Sequence, residues 1–272
     1  MEYNYQIFDI DTPDEAMDFI RESIGDDVVF VGFSGGKDSI VTADLVKRSG
    51  VRYELYYSFT GIDPPEVVRF IRKHYPECHF LKPKRSFWKD LSTNVPPGVI
   101  RWCCTKLKKQ PGWKLPHKKR IMGIRAEEST RRAGYGRIGY FEKIGHTHYR
   151  PIFHWKEWQI WEYIEKNNLP YPILYDWGFT RIGCVICPFN SDKTGLRHKR
   201  LREHYPKFFE KWEDAVTELF YKRQAQGKEM FYETPRQFLD AWYLDYSARW
   251  YAKKSKYNIV EHDGYLFEGC ST

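Results

Sequence analysis

Residues 28–33 read Val-Val-Phe-Val-Gly-Phe, a short and almost uninterrupted apolar run. A run of this length without polar alternation predicts a strand buried on both faces, as in a parallel sheet. A glycine-rich turn follows. The chain then runs through Ile40-Val41-Thr42-Ala43-Asp44-Leu45-Val46, which fits a helix. Further strands are predicted at Arg52–Ser58, Cys78–Leu81 and Arg120–Ile124, with a helix after Pro64-Pro65-Glu66. Strands alternating with helices argue for a doubly wound, mostly parallel α/β sheet. Trp155–Asn168 reads as an amphipathic helix stopped near Leu169-Pro170. From about Asn190 the composition shifts toward Lys, Arg, Tyr, Phe and Trp, with helical patterns at Tyr205–Arg223 and Pro235–Ala252. The expected organisation is an α/β domain over residues 1–189 and a helical, basic and aromatic region over 190–272. No internal repeat is visible.

Composition narrows the picture. The 272 residues suffice for one large domain, or for a domain with a helical appendage. Hydrophobic residues make up 42% and aromatics 18%, enough for a sizeable core, so global disorder is excluded. A net charge of +8 and a pI near 9.0 favour polyanionic partners such as nucleotides or nucleic acid. No apolar run approaches the roughly 20 residues of a membrane span. Met1–Glu15 is acidic and mixed, unlike a signal peptide. The expectation is a cytoplasmic protein without membrane contact. In that compartment the six cysteines are poor disulfide candidates, and four of them sit in two tight pairs that point to metal.

The turn after the first apolar run is Ser34-Gly35-Gly36-Lys37-Asp38-Ser39. It is not the P-loop of nucleoside triphosphatases, which has four residues between its first glycine and Gly-Lys. Its chemistry is related. Two glycines let backbone N–H groups approach phosphate oxygens, and Lys37 supplies a point charge. Ser34 and Ser39 can donate hydroxyls, Asp38 could hold Mg²⁺, and the next helix turns its positive end to the anion. An ordinary capped turn would need only the serine and glycines, not the whole hexapeptide directly after a strand.

Arg125-Ala126-Glu127-Glu128-Ser129-Thr130-Arg131-Arg132 follows the strand predicted at 120–124, where open α/β sheets place ligands. Arg125 and Arg132 could clamp a phosphate or sulfate by paired hydrogen bonds, with Glu128 and Ser129 beside them. Cys103-Cys104 and Cys184-Val185-Ile186-Cys187 could each bring two thiolates to one metal centre, and four thiolates suit zinc or an iron–sulfur cluster. Cys78, in a predicted strand, reads as a core cysteine. Cys270 near the C-terminus could be a mobile nucleophile if its pKa were lowered. Residues 101–120 carry eight Lys or Arg and no Asp or Glu, interleaved with Trp102 and Trp113. Lys193, Arg197, His198, Lys199, Arg200 and Arg202 add to this basic character, a pattern that can track a phosphate backbone and stack on bases.

The hexapeptide resembles the PP-loop of the adenine nucleotide alpha-hydrolase superfamily, which includes ATP pyrophosphatases and phosphoadenylylsulfate (PAPS) reductases. Thr60-Gly61 with Pro65-Glu66 resembles the segment after that family's second strand. The Arg125–Arg132 stretch resembles its Arg-x-x-Glu-Ser-x-x-Arg element. Pro151-Ile152, Trp158–Ile164, Leu169-Pro170-Tyr171 and Tyr175–Cys184 resemble the PAPS-reductase branch. The resemblance implies a Rossmann-like sheet and adenine nucleotide binding at Ser34–Ser39, Thr60, Gly61, Glu128 and Ser129, with Lys37, Asp38, Arg125 and Arg132 in catalytic roles. An intact Lys-Asp pair is typical of members that split ATP between the α and β phosphates and adenylate an acceptor. The Cys-Cys and Cys-x-x-Cys pairs resemble those that bind a [4Fe–4S] cluster in adenylylsulfate (APS) reductases and DNA phosphorothioation enzymes. That implies Cys103, Cys104, Cys184 and Cys187 as cluster ligands, with zinc the lesser alternative.

The resemblance leaves three functions in view. The first is an ATP pyrophosphatase that adenylates DNA or tRNA for sulfur transfer, with a sulfur-donor protein such as a cysteine desulfurase as partner. The second is a PAPS or APS reductase forming sulfite; Cys270, in Glu268-Gly269-Cys270, departs from the Glu-Cys-Gly setting of those enzymes. The third is a non-catalytic nucleotide-sensing or nucleic-acid-binding subunit.

Overall fold

The computed structural model describes residues 11–98, 101–188, 196–228 and 231–244. Six strands form one sheet: β1 Val29–Gly32, β2 Tyr53–Ser58, β3 His79–Leu81, β4 Lys119–Met122, β5 Ile138–Phe141 and β6 His146–Tyr149. Their order is β3-β2-β1-β4-β6-β5. All neighbours run parallel except β5, which pairs antiparallel with β6. The chain lays down β1, β2 and β3 toward one edge, then returns to place β4 on the other side of β1. This reversal opens a crevice beyond the carboxyl ends of β1 and β4, the usual ligand position in such sheets.

The apolar run at 28–33 forms β1 because both of its faces are covered. Val29 and Val31 point to one face and are fully buried, against the helical layer that includes α2 (Lys37–Ser49). The other face carries Phe30, stacked on Tyr56 of β2 at 4.7 Å between ring centroids. Nearly every residue of α2 is buried, because α1 (Pro13–Ile24) and α7 (Glu157–Lys166) pack against it. Thr12 caps α1 by accepting from the Glu15 N–H while Glu15 accepts from the Thr12 N–H, a reciprocal box. Gly123, just past β4, lies so close to α2 that an added Cβ would sit 2.8 Å from the Asp38 carbonyl oxygen. This contact fixes the start of α2 against the end of β4.

Helix α3 (Pro65–His74) joins β2 to β3, with Pro65 at its start as the sequence led one to expect. The return from β3 to β4 contains the short helix α4 (Phe87–Leu91), a π-helical turn at Cys104–Lys109 and α5 (Gln110–Trp113). It lies over the Phe30 face, where Phe30 and Arg120 approach Gly112. The short α6 (Thr130–Ala133) follows β4. The helix expected at 155–168 is α7, shorter at both ends because Lys156 is extended at its N-cap and Asn168 takes a left-handed conformation with φ 50°.

The C-terminal region is helical, with α8 (Leu196–His204), α9 (Pro206–Ala225) and α10 (Pro235–Leu244). These helices join the same core. Trp242 Nε1 donates to the Pro97 carbonyl at 2.7 Å, Tyr205 donates to Glu66 at 2.8 Å, and Phe87 packs near Trp212. The expected boundary at 189/190, the helix beyond Leu244, and Cys270 with its tail lie outside the described residues, as does Lys193. Among the described residues no helix is long and apolar enough to cross a membrane.

Candidate functional site

The stretch Ser34–Ser39 runs from just past β1 into the first turn of α2, at the crevice. Gly35 has φ +72°, a conformation that L side chains rarely adopt. A Cβ there would lie 3.0 Å from Val67 and 3.1 Å from Ile71, so α3 packs against the loop from behind. Gly36 sits at the N-cap of α2 without a side-chain cap. The loop is held by its own serines. Ser34 N donates to Ser39 Oγ at 3.2 Å, Gly36 N donates to Ser34 Oγ at 3.3 Å, and Ser39 Oγ donates to the Gly36 carbonyl at 2.8 Å. The result is a set of backbone N–H groups at the positive end of a buried 13-residue helix.

Lys37 is 4% exposed. Its Nζ donates to the Thr180 carbonyl at 2.9 Å and lies 3.3 Å from Glu157 and 3.8 Å from Asp38. Its backbone N–H donates to the Tyr175 hydroxyl at 2.9 Å. Three carboxylate or carbonyl groups thus offset the desolvation of one ammonium. Tyr175 and Thr180 belong to the segment that resembles the PAPS-reductase branch, but no role for them is evident from their sequence positions. They meet Lys37 only through the fold.

Asp38, expected as a Mg²⁺ ligand, meets two cations of the chain itself. It is 5% exposed, and its Oδ1 accepts from Arg125 Nε at 2.5 Å while Oδ2 faces Lys37. Both of its oxygens are turned to these cations. Arg125, expected to clamp an anion, is buried between Asp38 and Glu127, whose Oε2 accepts from Nη1 at 2.6 Å. Burial alone would lower the Arg125 pKa, but Asp38 and the neighbouring glutamates outweigh it and raise it. Arg132 pairs with Glu128 one helical turn away. Ser129 caps α6 by accepting from the Arg132 N–H at 3.2 Å. The element expected to bind anions is braced to the loop by charge pairs, with Asp38, Glu127 and Glu128 within reach of its arginines.

Thr60 is 1% exposed and closes a turn after β2. Its N–H donates to Asp63 Oδ2 at 2.7 Å, and its hydroxyl accepts from the Ile62 N–H at 3.2 Å. Gly61 supplies φ +77° at the tip. Neither lines the cleft, but Asp63, held by this turn, does. Burial pushes the Asp63 pKa up, against the opposing effects of Lys108 and its Thr60 bonds.

The cleft itself has a volume of about 140 Å³. Ser34, Asp38 and Ser39 line it from the loop, and Gly123, Ile182 and Gly183 close another side. Cys104, Lys108 and Lys109 come from the π-helical turn, Trp113 from α5, and Phe30, Tyr56 and Arg120 from the sheet face. It is lined mostly by apolar and aromatic groups with a few convergent polar ones, as small-molecule sites usually are.

Cys103, Cys104, Cys184 and Cys187 are all unbridged, with Cys104 and Cys184 buried. Four thiols have the right donor chemistry for a thiophilic centre. Among the described residues no three Cys, His, Asp or Glu side chains form a metal-ligating group. The Cys184 Sγ is turned toward Thr60 Oγ1 at 3.7 Å and Asp63 Oδ1 at 4.0 Å, and the Cys104 Sγ toward Arg101 at 3.5 Å. Both segments border the cleft, since Cys104 lines it and the Cys184 Sγ reaches Asp63, which lines it too. Cys78 is a core cysteine as expected, its thiol pushed up to about 12 by burial.

Comparison with known proteins decides the family. The phosphoadenosine phosphosulfate reductase domain profile matches residues 28–190. The chain belongs to the phosphoadenosine phosphosulfate reductase domain family. An uncharacterized protein of Methanocaldococcus jannaschii is 34% identical over 204 residues, covering 70% of this chain and 42% of the relative. The adenosine 5'-phosphosulfate reductase of Oceanobacillus iheyensis is 27% identical over 207 residues, covering 68% of this chain and 82% of that enzyme. This PAPS reductase-family chain spans less than half the length of two archaeal relatives that it matches. The PAPS reductase of Candida auris, solved as a phosphate complex, shares the fold with a TM-score of 0.50 at 20% identity, over 62% of this chain and 87% of that one.

Proposed function

We propose that this PAPS reductase-family protein is a cytoplasmic PP-loop enzyme that binds ATP and releases pyrophosphate, adenylating an acceptor for sulfur transfer. The observation that carries the reading is the complete loop at the crevice, with both Lys37 and Asp38 present and held in place. In this reading the phosphates lie on Ser34–Ser39, at the positive end of α2. An acceptor oxygen attacks the α-phosphorus, and the bond between that phosphorus and the bridging oxygen to the β-phosphate breaks. Lys37 stabilises the charge that develops on the departing pyrophosphate, a preorganised electrostatic contribution. Asp38 and Arg125 keep Lys37 in register. A sulfur nucleophile, drawn from a sulfur-donor protein, then displaces AMP. The basic segment at 101–120 supports a nucleic-acid acceptor, DNA or tRNA.

Four cysteines in two pairs support a [4Fe–4S] cluster as the resident group of the same enzyme. When bound it would supply a thiophilic, redox-active centre. Iron and acid-labile sulfide measured on anaerobically purified protein test this part, and Cys184→Ala is expected to lose both. Full retention of iron by that variant removes Cys184 from the ligand set.

The 27% identity to an adenosine 5'-phosphosulfate reductase over 82% of its length favours one second reading, a reductase forming sulfite from PAPS or APS with a thiol donor. Product analysis separates the two. Anaerobic protein is offered ATP, APS or PAPS together with a thiol reductant and nucleic acid. AMP and pyrophosphate from ATP, without sulfite from the sulfated nucleotides, is the expected result. Sulfite that depends on Cys270 overturns it.

A further inference from the structure

The first free N–H of a helix that follows a phosphate loop is a principal anion donor. In α2 that group is the Lys37 N–H, and its acceptor is the Tyr175 hydroxyl at 2.9 Å, from a residue 138 positions later in the chain. The other donors just described are satisfied by the loop's own serines. The Tyr175 segment takes up the second anion-binding group as well, because the Lys37 ammonium donates to the Thr180 carbonyl. One short stretch of chain therefore engages both the backbone and the side-chain donor with which Lys37 could hold a phosphate.

This stretch is a built turn. Trp177 N donates to the Ile173 carbonyl at 3.1 Å, Gly178 N to the Tyr175 carbonyl at 3.0 Å, and Phe179 N to the Leu174 carbonyl at 3.1 Å. Gly178 allows the reversal with φ +81°. The Tyr175 ring is fixed edge-on against Trp161 at 5.0 Å. Burial raises the Tyr175 pKa, so the hydroxyl is neutral. A neutral oxygen is a weaker acceptor than a phosphate oxygen, whose charge-assisted hydrogen bonds are roughly twice as strong.

We propose that Tyr175 is a built-in occupant of the phosphate site: its hydroxyl stands on the Lys37 N–H where a nucleotide phosphate oxygen binds, and the Tyr175–Thr180 turn withdraws when that phosphate arrives. The inference rests on the nucleotide reading given above and adds what the phosphate must displace. The ligand class is a polyphosphate, free or as part of a nucleotide. Adenosine, which has no phosphate, does not compete with Tyr175. The turn leads directly into Cys184–Cys187, so phosphate binding at Lys37 is coupled to the position of one thiol pair. On its outer side the turn is tied to α8, where Arg197 donates to the Arg181 carbonyl at 3.0 Å and Arg200 to the Gly178 carbonyl at 3.5 Å.

The test is calorimetric binding of tripolyphosphate, ATP and adenosine to the full chain and to Tyr175→Phe, which keeps the ring and removes the oxygen. The expected result is about 3–10-fold tighter binding of tripolyphosphate and ATP by the variant, the worth of one hydrogen bond that no longer competes, with adenosine unchanged. Equal or weaker ATP binding by the variant, with wild-type binding intact, overturns the occupant role and leaves the nucleotide reading standing. Absence of ATP and tripolyphosphate binding from both proteins overturns the two together. Hydrogen exchange on the wild type gives a second readout that needs no variant. The peptide over 175–184 should exchange faster with ATP bound, and unchanged or slower exchange overturns the withdrawal.

Discussion

The phosphate loop and the two cysteine pairs are both chemistry-bearing elements beside one cleft, and they are built in different ways. The loop is six consecutive residues whose shape follows from a left-handed glycine, two serine hydroxyls and the start of a buried helix. The thiols come from two distant segments, each fixed by its own packing, and their sulfurs point to different neighbours. A binding site made of adjacent backbone is complete once its local conformation is set. One made of remote side chains depends on every rotamer and on the docking of both segments. The consequences of breaking each element should differ accordingly.

The largest effect is expected at Lys37. Lys37→Ala should lower pyrophosphate release on the order of 100-fold or more, because a fixed charge aimed at the leaving group is lost. Iron content, if the cluster reading holds, should be unaffected; turnover within a few-fold of wild type would remove Lys37 from the reaction. Next comes the brace. Arg125→Leu strands Asp38 as a buried carboxylate short of its main partner, which should cost about 3–5 kcal/mol in a urea titration. The double change with Asp38→Leu should lose less than Arg125→Leu alone, and a loss equal to the sum of the two single changes would show that the pair is not coupled.

Glycines sharpen the comparison further. Gly35→Ala combines a positive φ with contacts of 3.0–3.1 Å to Val67 and Ile71, and should cost about 1–3 kcal/mol. Gly50, with φ +78° but open space around it, should cost only about 1 kcal/mol when changed to alanine. Equal costs would mean that packing of α3 against the loop contributes nothing. For the thiols, timed alkylation read by mass spectrometry should modify the half-buried Cys103 and Cys187 before the buried Cys78, Cys104 and Cys184. Uniform rates would show that the two segments open together.

The smallest expected effect is with pH. Burial, with Arg120 beside it, lowers the His146 pKa to about 4. The folded state holds this ring neutral while the unfolded chain takes up a proton near pH 6.5. Its contribution to stability is therefore complete above about pH 6.5 and is lost as the pH falls toward about 4. Urea midpoints measured at pH 7 and pH 5 should converge in His146→Gln relative to wild type, and an unchanged difference would sink the assignment.

Much of this was legible in the order of residues. The apolar run at 28–33, the glycine turn and the helix after it are a local pattern, and the structure places all three as read. The hairpin of β5 and β6 was not legible. Its sequence, Ile-Gly-Tyr-Phe then His-Thr-His-Tyr, is short and mostly polar on its buried positions, since His146 and His148 rather than aliphatic residues face inward. Its burial comes from Arg120 and Arg150, which no periodicity reveals. Helix α1 carried a readable Thr-x-x-Glu start, a capping signal in a stretch that was read only for its charge. In the site, residue types were legible but partners were not. Arg125 carries a charge that suits an external anion, and only the fold shows Asp38 already beside it. Tyr175 gives no sign in the sequence that it meets a loop at the far end of the sheet domain.

The turn at Cys104–Lys109 is wound as a π-helix, so it holds one residue more per hydrogen-bonded ring than the α-helix that continues from it. That extra residue works as a phase shifter. It sets the rotation of Cys104 relative to Lys108, Lys109 and Trp113, all of which face the same cleft. Deleting any single residue between Thr105 and Lys109 would let the segment relax to α-helical winding and turn the preceding cysteines by about 100° around the axis. Sulfur and lysine would then face different directions with every side chain chemically intact, a loss of function by change of phase alone.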